Sequence, residues 1–185
     1  MIIALVIAAL VVVVLTNNDK GDKGAKGTTN GAVADVDGAL PEGPKKGAVA
    51  PSFKLASLDG TASYEAGGKR DKVLIINFWA AWCGPCELEA PDLVDIYDKH
   101  KDNVEMYAVN ATKYDKLREA KVFVKEQNFR MPVLTDADNV AGELYKVFSY
   151  PTSFIVNRDG VILERIEGVI DREQWEIYLQ DAIQS

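Results

Sequence analysis

The sequence predicts an α/β sandwich with a mixed central sheet flanked by helices, and two observations predict it. Strand-like and helix-like segments alternate through residues 49–185, and the alternation ends in a hairpin followed by one more helix. Within that alternation, Lys72 to Trp79 (KVLIINFW) is a continuous apolar run broken only by Asn77, the texture of a strand covered on both faces. A chain of 185 residues with 48% hydrophobic content can bury such a core without disulfide scaffolding.

Each element has its own signal. Phe53 and Leu55 alternate as in a strand, and Lys72 to Trp79 is the interior strand. After Pro85 a helical repeat passes through Leu88, Leu93, Ile96 and Tyr97, with Pro91 expected to bend it. Val104 to Asn110 is a second interior strand, and Lys113 to Asn128 has helical spacing through Leu117, Ala120 and Val124 with charge on the other side. Val133-Leu134 is a short strand and Val140 to Phe148 a short helix. Thr152 to Ile166 (TSFIVNRDGVILERI) is a hairpin turning at Asn157 to Gly160. Asp171 caps the last helix, with Gln174 three residues on and Trp175, Tyr178, Leu179, Ala182 and Ile183 along one face.

Residues 1–16 and 17–48 have different textures. The first fifteen residues are uninterruptedly apolar, and residues 1–16 are expected to form a transmembrane signal-anchor, uncleaved rather than removed. At ~1.5 Å per residue the apolar run spans about 23 Å, short of a ~30 Å hydrocarbon core, so Thr16 and Asn17 are expected at its edge. Residues 17–48 hold seven of the fourteen glycines and no aromatic residue, and read as a flexible tether. The domain then occupies residues 49–185. It carries 16 Lys and Arg against 23 Asp and Glu, within a formal charge of −7 for the whole chain. Nucleic acid is a poor partner for such a surface, because phosphate backbones require clustered cations.

Both cysteines fall in one short stretch, Phe78 to Pro91 (FWAAWCGPCELEAP). A structural clip across two intervening residues closes almost no loop and stabilises little. A zinc site needs about four ligands, and the one histidine, His100, reads as a solvated surface residue on a polar helix. A working dithiol fits best. Cys83 follows a strand and opens a helix, where backbone N–H groups and the helix dipole favour a thiolate, so it is the expected nucleophile. Pro85 suits the first turn, where its missing N–H would have no partner. Cys86, one turn on and expected to lie deeper, is placed to resolve a mixed disulfide. Trp79 and Trp82 offer flat apolar cover. No glycine-rich loop between strand and helix signals a nucleotide or other cofactor.

FWAAWCGPC with Pro91 beyond it resembles the thioredoxin superfamily. Together with VEMYAVN and YPTSFIVNRDGVILERIEG it resembles the membrane-anchored extracytoplasmic branch of ResA/TlpA-like proteins, over a match running from about Ala50 to the C-terminus. The resemblance implies a thioredoxin-like sandwich, a cis bond before Pro151, and a backbone at Tyr150 turned outward to pair with an extended substrate segment. Trp82, Gly84, Pro85, Tyr150 and Pro151 form the expected substrate-facing set. Asn77 stands where cytosolic thioredoxins carry a buried aspartate. Glu89, three residues beyond Cys86 on the same helix face, is the expected proton carrier, with a raised pKa if buried. A solvated role like that of Glu87 is the plain alternative.

The function expected of these residues is that of a thiol-disulfide oxidoreductase, reducing protein disulfides outside the cytoplasmic membrane through a Cys83/Cys86 dithiol. A membrane thiol transporter is the implied donor, and analogy suggests apocytochrome c as substrate. Net direction stays open, because redox potentials in this superfamily vary with thiol pKa. Two rivals remain. One is a peroxiredoxin-like peroxide reductase, against which Ala80 replaces that family's threonine; the other is a tethered binding module with a vestigial dithiol.

Overall fold

The computed structural model describes residues 39–185. The expected anchor at 1–16 and most of the expected tether lie outside the described residues. Among those described, no helix is long and apolar enough to cross a membrane.

Seven strands form one mixed sheet: β1 (Phe53–Ser57), β2 (Ser63–Ala66), β3 (Val73–Trp79), β4 (Val104–Asn110), β5 (Val133–Thr135), β6 (Thr152–Val156) and β7 (Ile162–Glu167), in spatial order β2-β1-β5-β4-β3-β6-β7. The helices are α1 (Gly84–His100), α2 (Leu117–Glu126), α3 (Val140–Leu144) and α4 (Arg172–Gln184). β3 is central, parallel to β4 and antiparallel to β6. All seven of its residues are buried, which is why its sequence shows no alternation. The period of two is nevertheless expressed in its packing. Val73, Ile75 and Trp79 join the core under α1 and α4, whereas Leu74, Ile76 and Phe78 join a second core with Phe53, Tyr145 and Phe154 on the opposite face.

The element boundaries expected for β3 and β4 agree closely with the structure, and the hairpin of β6 and β7 turns where expected. Three differences have physical causes. β2 carries no recognisable pattern in SYEA; it exists because the turn before it is built by Asp59, whose carboxylate accepts from Ser57 Oγ (2.6 Å), Thr61 N (3.0 Å) and Thr61 Oγ1 (2.8 Å). On α1 the buried stripe is Cys86, Glu89, Ala90, Leu93, Val94 and Ile96, so Leu88 is 76% exposed rather than part of the face. His100 is not freely solvated: its Nε2 lies 2.9 Å from Glu176 Oε2 and ties the end of α1 to α4.

Residues 39–48, expected to belong to the tether, are fixed to the sheet. Gly47 N donates to Ile162 O (2.8 Å), Ile162 N to Ala48 O (2.9 Å) and Val49 N to Pro41 O (2.9 Å), and Ala48 is fully buried. Backbone pairing of this kind needs no apolar side chains, so a Gly-, Lys- and Pro-rich composition conceals it.

Candidate active site

β3 ends at Trp79, at the C-terminal end of the central strand, and a tight turn follows in which Cys83 N donates to Ala80 O (3.1 Å). Cys83 is the N-cap of α1, with extended backbone (φ −89°, ψ 102°), and Pro85 occupies the first turn. Cys86 N donates to Cys83 Sγ at 3.1 Å, the position a Ser or Asp oxygen takes in an ordinary cap. The two sulfurs are bonded to each other at 2.07 Å.

The expected difference in depth between the cysteines is absent: each is 4% exposed. With its sulfur folded back over the first turn of the helix, Cys83 is as covered as Cys86. What distinguishes them is the helix terminus, since Cys83 Sγ accepts an otherwise unpartnered backbone N–H and a thiolate there is favoured by that donor and by the dipole. Gly84 and Pro85 are exposed beside the disulfide, and a Cβ at Gly84 would meet nothing within 4 Å, so this side is open to an approaching chain.

Behind the disulfide lies a polar group in an apolar core. Glu89 is 1% exposed, and Asn77 Nδ2 donates to its Oε2 (3.1 Å) and to Ser153 Oγ (2.9 Å). Asn77 and Ser153 are directly paired across β3 and β6, which puts both side chains on the face beneath α1. Burial is the main cause pushing the Glu89 carboxyl up to about 7; the Asp92 charge also raises it, while Asn77 and Trp175 oppose the rise. Glu89 Oε1 and Trp175 Nε1 are both buried without a hydrogen-bond partner. The indole therefore lies close enough to favour the carboxylate but outside good hydrogen-bond geometry.

On the outer side, Trp82 is 61% exposed and meets Tyr150 edge-on, ring centroids 5.7 Å apart. The Tyr150–Pro151 peptide is cis, as the resemblance implies. Pro151 O accepts from Gly168 N (2.9 Å), which seats this turn on the end of β7. Trp82, directly before Cys83, thus meets Tyr150, the residue before cis Pro151, while Gly84 and Pro85 lie exposed in the first turn of α1 and Glu89 is buried on the same helix. Trp79 does not cover the pair from outside. It is buried and stacked on Phe123 at 4.7 Å.

Sequence reasoning missed the brace beneath Trp82. Asp115 Oδ2 accepts from Ala81 N (2.7 Å) and Asn110 Nδ2 (2.7 Å), its Oδ1 from Lys116 N (2.8 Å), and Trp82 Nε1 donates to Tyr114 O (3.0 Å). Asp115 lies 34 positions from Ala81, in a loop whose only signal is polarity. Ser153 and Trp175 have the sequence character of strand and core residues, and nothing in their own segments links them to the dithiol.

Comparison with known proteins agrees with this arrangement. Residues 47–165 match the AhpC/TSA family. The thiol-disulfide oxidoreductase ResA of Bacillus thuringiensis is 36% identical over 135 residues, covering 72% of this chain and 76% of that protein. The thioredoxin-like protein YneN of Bacillus subtilis is 33% identical over 135 residues, covering 72% and 78%. Among solved structures, a putative thiol:disulfide interchange protein DsbE from Chlorobium tepidum superposes with a TM-score of 0.66 at 28% identity, covering 75% of this chain and 98% of that one. StoA from Bacillus subtilis superposes with a TM-score of 0.61 at 26% identity, covering 69% and 96%.

Proposed function

The chain belongs to the AhpC/TSA family and is a thiol-disulfide oxidoreductase of the ResA/StoA type with a Cys83–Cys86 pair, and from that premise we propose that it reduces disulfides of protein substrates on the outer side of the cytoplasmic membrane, held there by residues 1–16. The observation that carries the reading is the Cys83 sulfur accepting a helix-terminal N–H, with the buried Glu89 carboxyl on the same helix.

In the reduced enzyme, Cys83 thiolate attacks one sulfur of the substrate disulfide. A Cys83–substrate bond forms, the substrate S–S bond breaks, and one substrate thiolate leaves. Glu89, poised near neutral pH, takes the proton of Cys86, whose thiolate then attacks Cys83 Sγ. The second substrate thiolate departs and the enzyme is left with its disulfide, two electrons having passed to the substrate. A dithiol donor must reverse this, and in an oxidising compartment a membrane thiol transporter is the donor class we assign. Trp82, Gly84, Pro85, Tyr150 and Pro151 receive the substrate. Among the described backbone hydrogen bonds none uses Tyr150, which leaves its N–H and C=O free to pair with an extended segment. Apocytochrome c is the substrate we assign by family analogy.

Cys86→Ser in the full-length chain tests the scheme: it should accumulate a covalent mixed disulfide through Cys83, and Cys83→Ser should accumulate none. Normal turnover by Cys86→Ser would remove the resolving role. Peroxide reduction is the competing chemistry; buried Ala80 offers no hydroxyl to orient a peroxide, and a peroxidase rate exceeding the disulfide-exchange rate would favour it.

A further inference from the structure

The loop that leads into Pro151 is held from a distance by one side chain. Arg165, on β7, lies with its guanidinium carbon 5.1 Å over the ring of its register partner Phe154. Its Nη1 donates to Tyr145 O (2.8 Å) and Pro44 O (3.2 Å), its Nη2 to Lys146 O (3.0 Å), and its Nε to Glu167 Oε1 (2.9 Å). Tyr145 is the C-cap of α3, a helix of five residues, and Lys146, which follows it, is left-handed at φ +49°. Tyr145 is itself anchored, its hydroxyl donating to Pro51 O at 2.8 Å. A planar guanidinium with five donors can satisfy several fixed acceptors at once; an ammonium cannot hold that fork.

Beyond Lys146 the chain runs through Phe148 and Tyr150 to Pro151. Its far end is fixed as well, by Thr152 Oγ1 donating to Ser149 O (2.8 Å). Between the two anchors stands Phe148, 90% exposed and two residues before Tyr150, whose ring meets Trp82. Trp82, directly before Cys83, and Leu88, two residues after Cys86, are exposed apolar residues as well. A polypeptide that pairs with the free backbone of Tyr150 runs along the loop that carries Phe148, whereas a small disulfide has no backbone to pair there.

We propose that Arg165 is a positioning residue that sets the Tyr145–Tyr150 loop, and that Phe148, presented by it, selects substrates whose cysteine is flanked by apolar residues in an extended segment. The inference rests on the reductase reading above and adds its substrate preference. Because Pro44 shares the same guanidinium, the entry segment of the domain and the recognition loop are set by one group.

The test compares full-length wild type with Phe148→Ala, Arg165→Gln and Arg165→Lys, each checked by circular dichroism for folding, in reduction of insulin and of glutathione disulfide. Wild type should prefer insulin. In Phe148→Ala and Arg165→Gln the ratio of kcat/KM for insulin to that for glutathione disulfide should fall about tenfold, chiefly through KM for insulin. Arg165→Lys, which keeps the charge and loses the fork, should show a smaller fall in the same direction. The double variant Phe148→Ala/Arg165→Gln should fall little further than either single, since one acts through the other. An unchanged ratio in folded variants, or full multiplicativity in the double, overturns the inference while leaving the reductase intact. A wild type that reduces neither probe overturns the reductase reading and this inference with it.

Discussion

Glu89 concentrates the chemistry at the scale of a single residue. A buried carboxyl whose folded pKa is about 7, against an ordinary 4.5, binds its proton more tightly when folded. Its contribution to stability is therefore fully present below pH 4.5 and is lost as pH rises through 7, to the extent of about 3 kcal/mol for a shift of this size. Thermal unfolding should show Glu89→Gln gaining stability relative to wild type between pH 5 and pH 8; parallel curves would mean that the carboxyl is not buried in its neutral form. The same substitution should flatten the pH dependence of exchange near neutrality. Trp175→Phe keeps an aromatic ring but removes a buried indole N–H that favours the Glu89 carboxylate, so the Glu89 titration should move upward. In wild type the Trp175 indole N–H resonance should titrate with the carboxyl, and in Glu89→Gln it should not. The Cys83, Cys86 and Glu89 constellation is legible in the sequence because all three lie within seven residues on one helix. Ser153 and Trp175 are not legible, because their proximity to it is created by strand register and by helix docking, neither of which is written in local pattern.

Among the elements, α1 is the one whose placement decides function, and α4 holds it at its middle and at its C-terminal end. Arg172 reaches Asp92 and Asp95 from the start of α4, while Lys99 and His100 meet Glu176 at the far end. The turn feeding α1 depends on the loop before α2, where the Asp115 carboxylate collects three N–H donors. Asp115→Ala should cost about 2–3 kcal/mol by denaturant unfolding, since charge-assisted hydrogen bonds are individually worth about 1.5–3. It should also change Trp82 fluorescence, because the ring's anchor is the neighbouring Tyr114 carbonyl. An unchanged spectrum would show that the brace does not set Trp82. Element identities are readable from run length and capping: Gln174 N does donate to Asp171 Oδ1, at 2.8 Å. The exposed face of α1 is not, because Leu88 fits the helical repeat while pointing away from the sheet. Hydrophobicity cannot tell a core leucine from an exposed one.

Over the whole molecule, the boundary of the domain departs most from the sequence reading. Residues 39–48 join β7 through backbone bonds and through Pro44 O on Arg165, so a chain starting at Ala50 should unfold about 5 °C or more below one starting at Ala39. Equal melting temperatures would return that segment to the tether. The rest of the architecture is legible, because a sheet covered on both faces leaves unbroken apolar runs and a helix between strands leaves a distinct repeat. All of it presents one sulfur at the tip of α1. The decisive test is the pH dependence of Cys83 alkylation in the reduced, full-length Cys86→Ser protein. A sulfur stabilised by the helix terminus should show a thiolate midpoint clearly below the ~8.5 of a free cysteine; a midpoint at or above that value would contradict its role as the nucleophile.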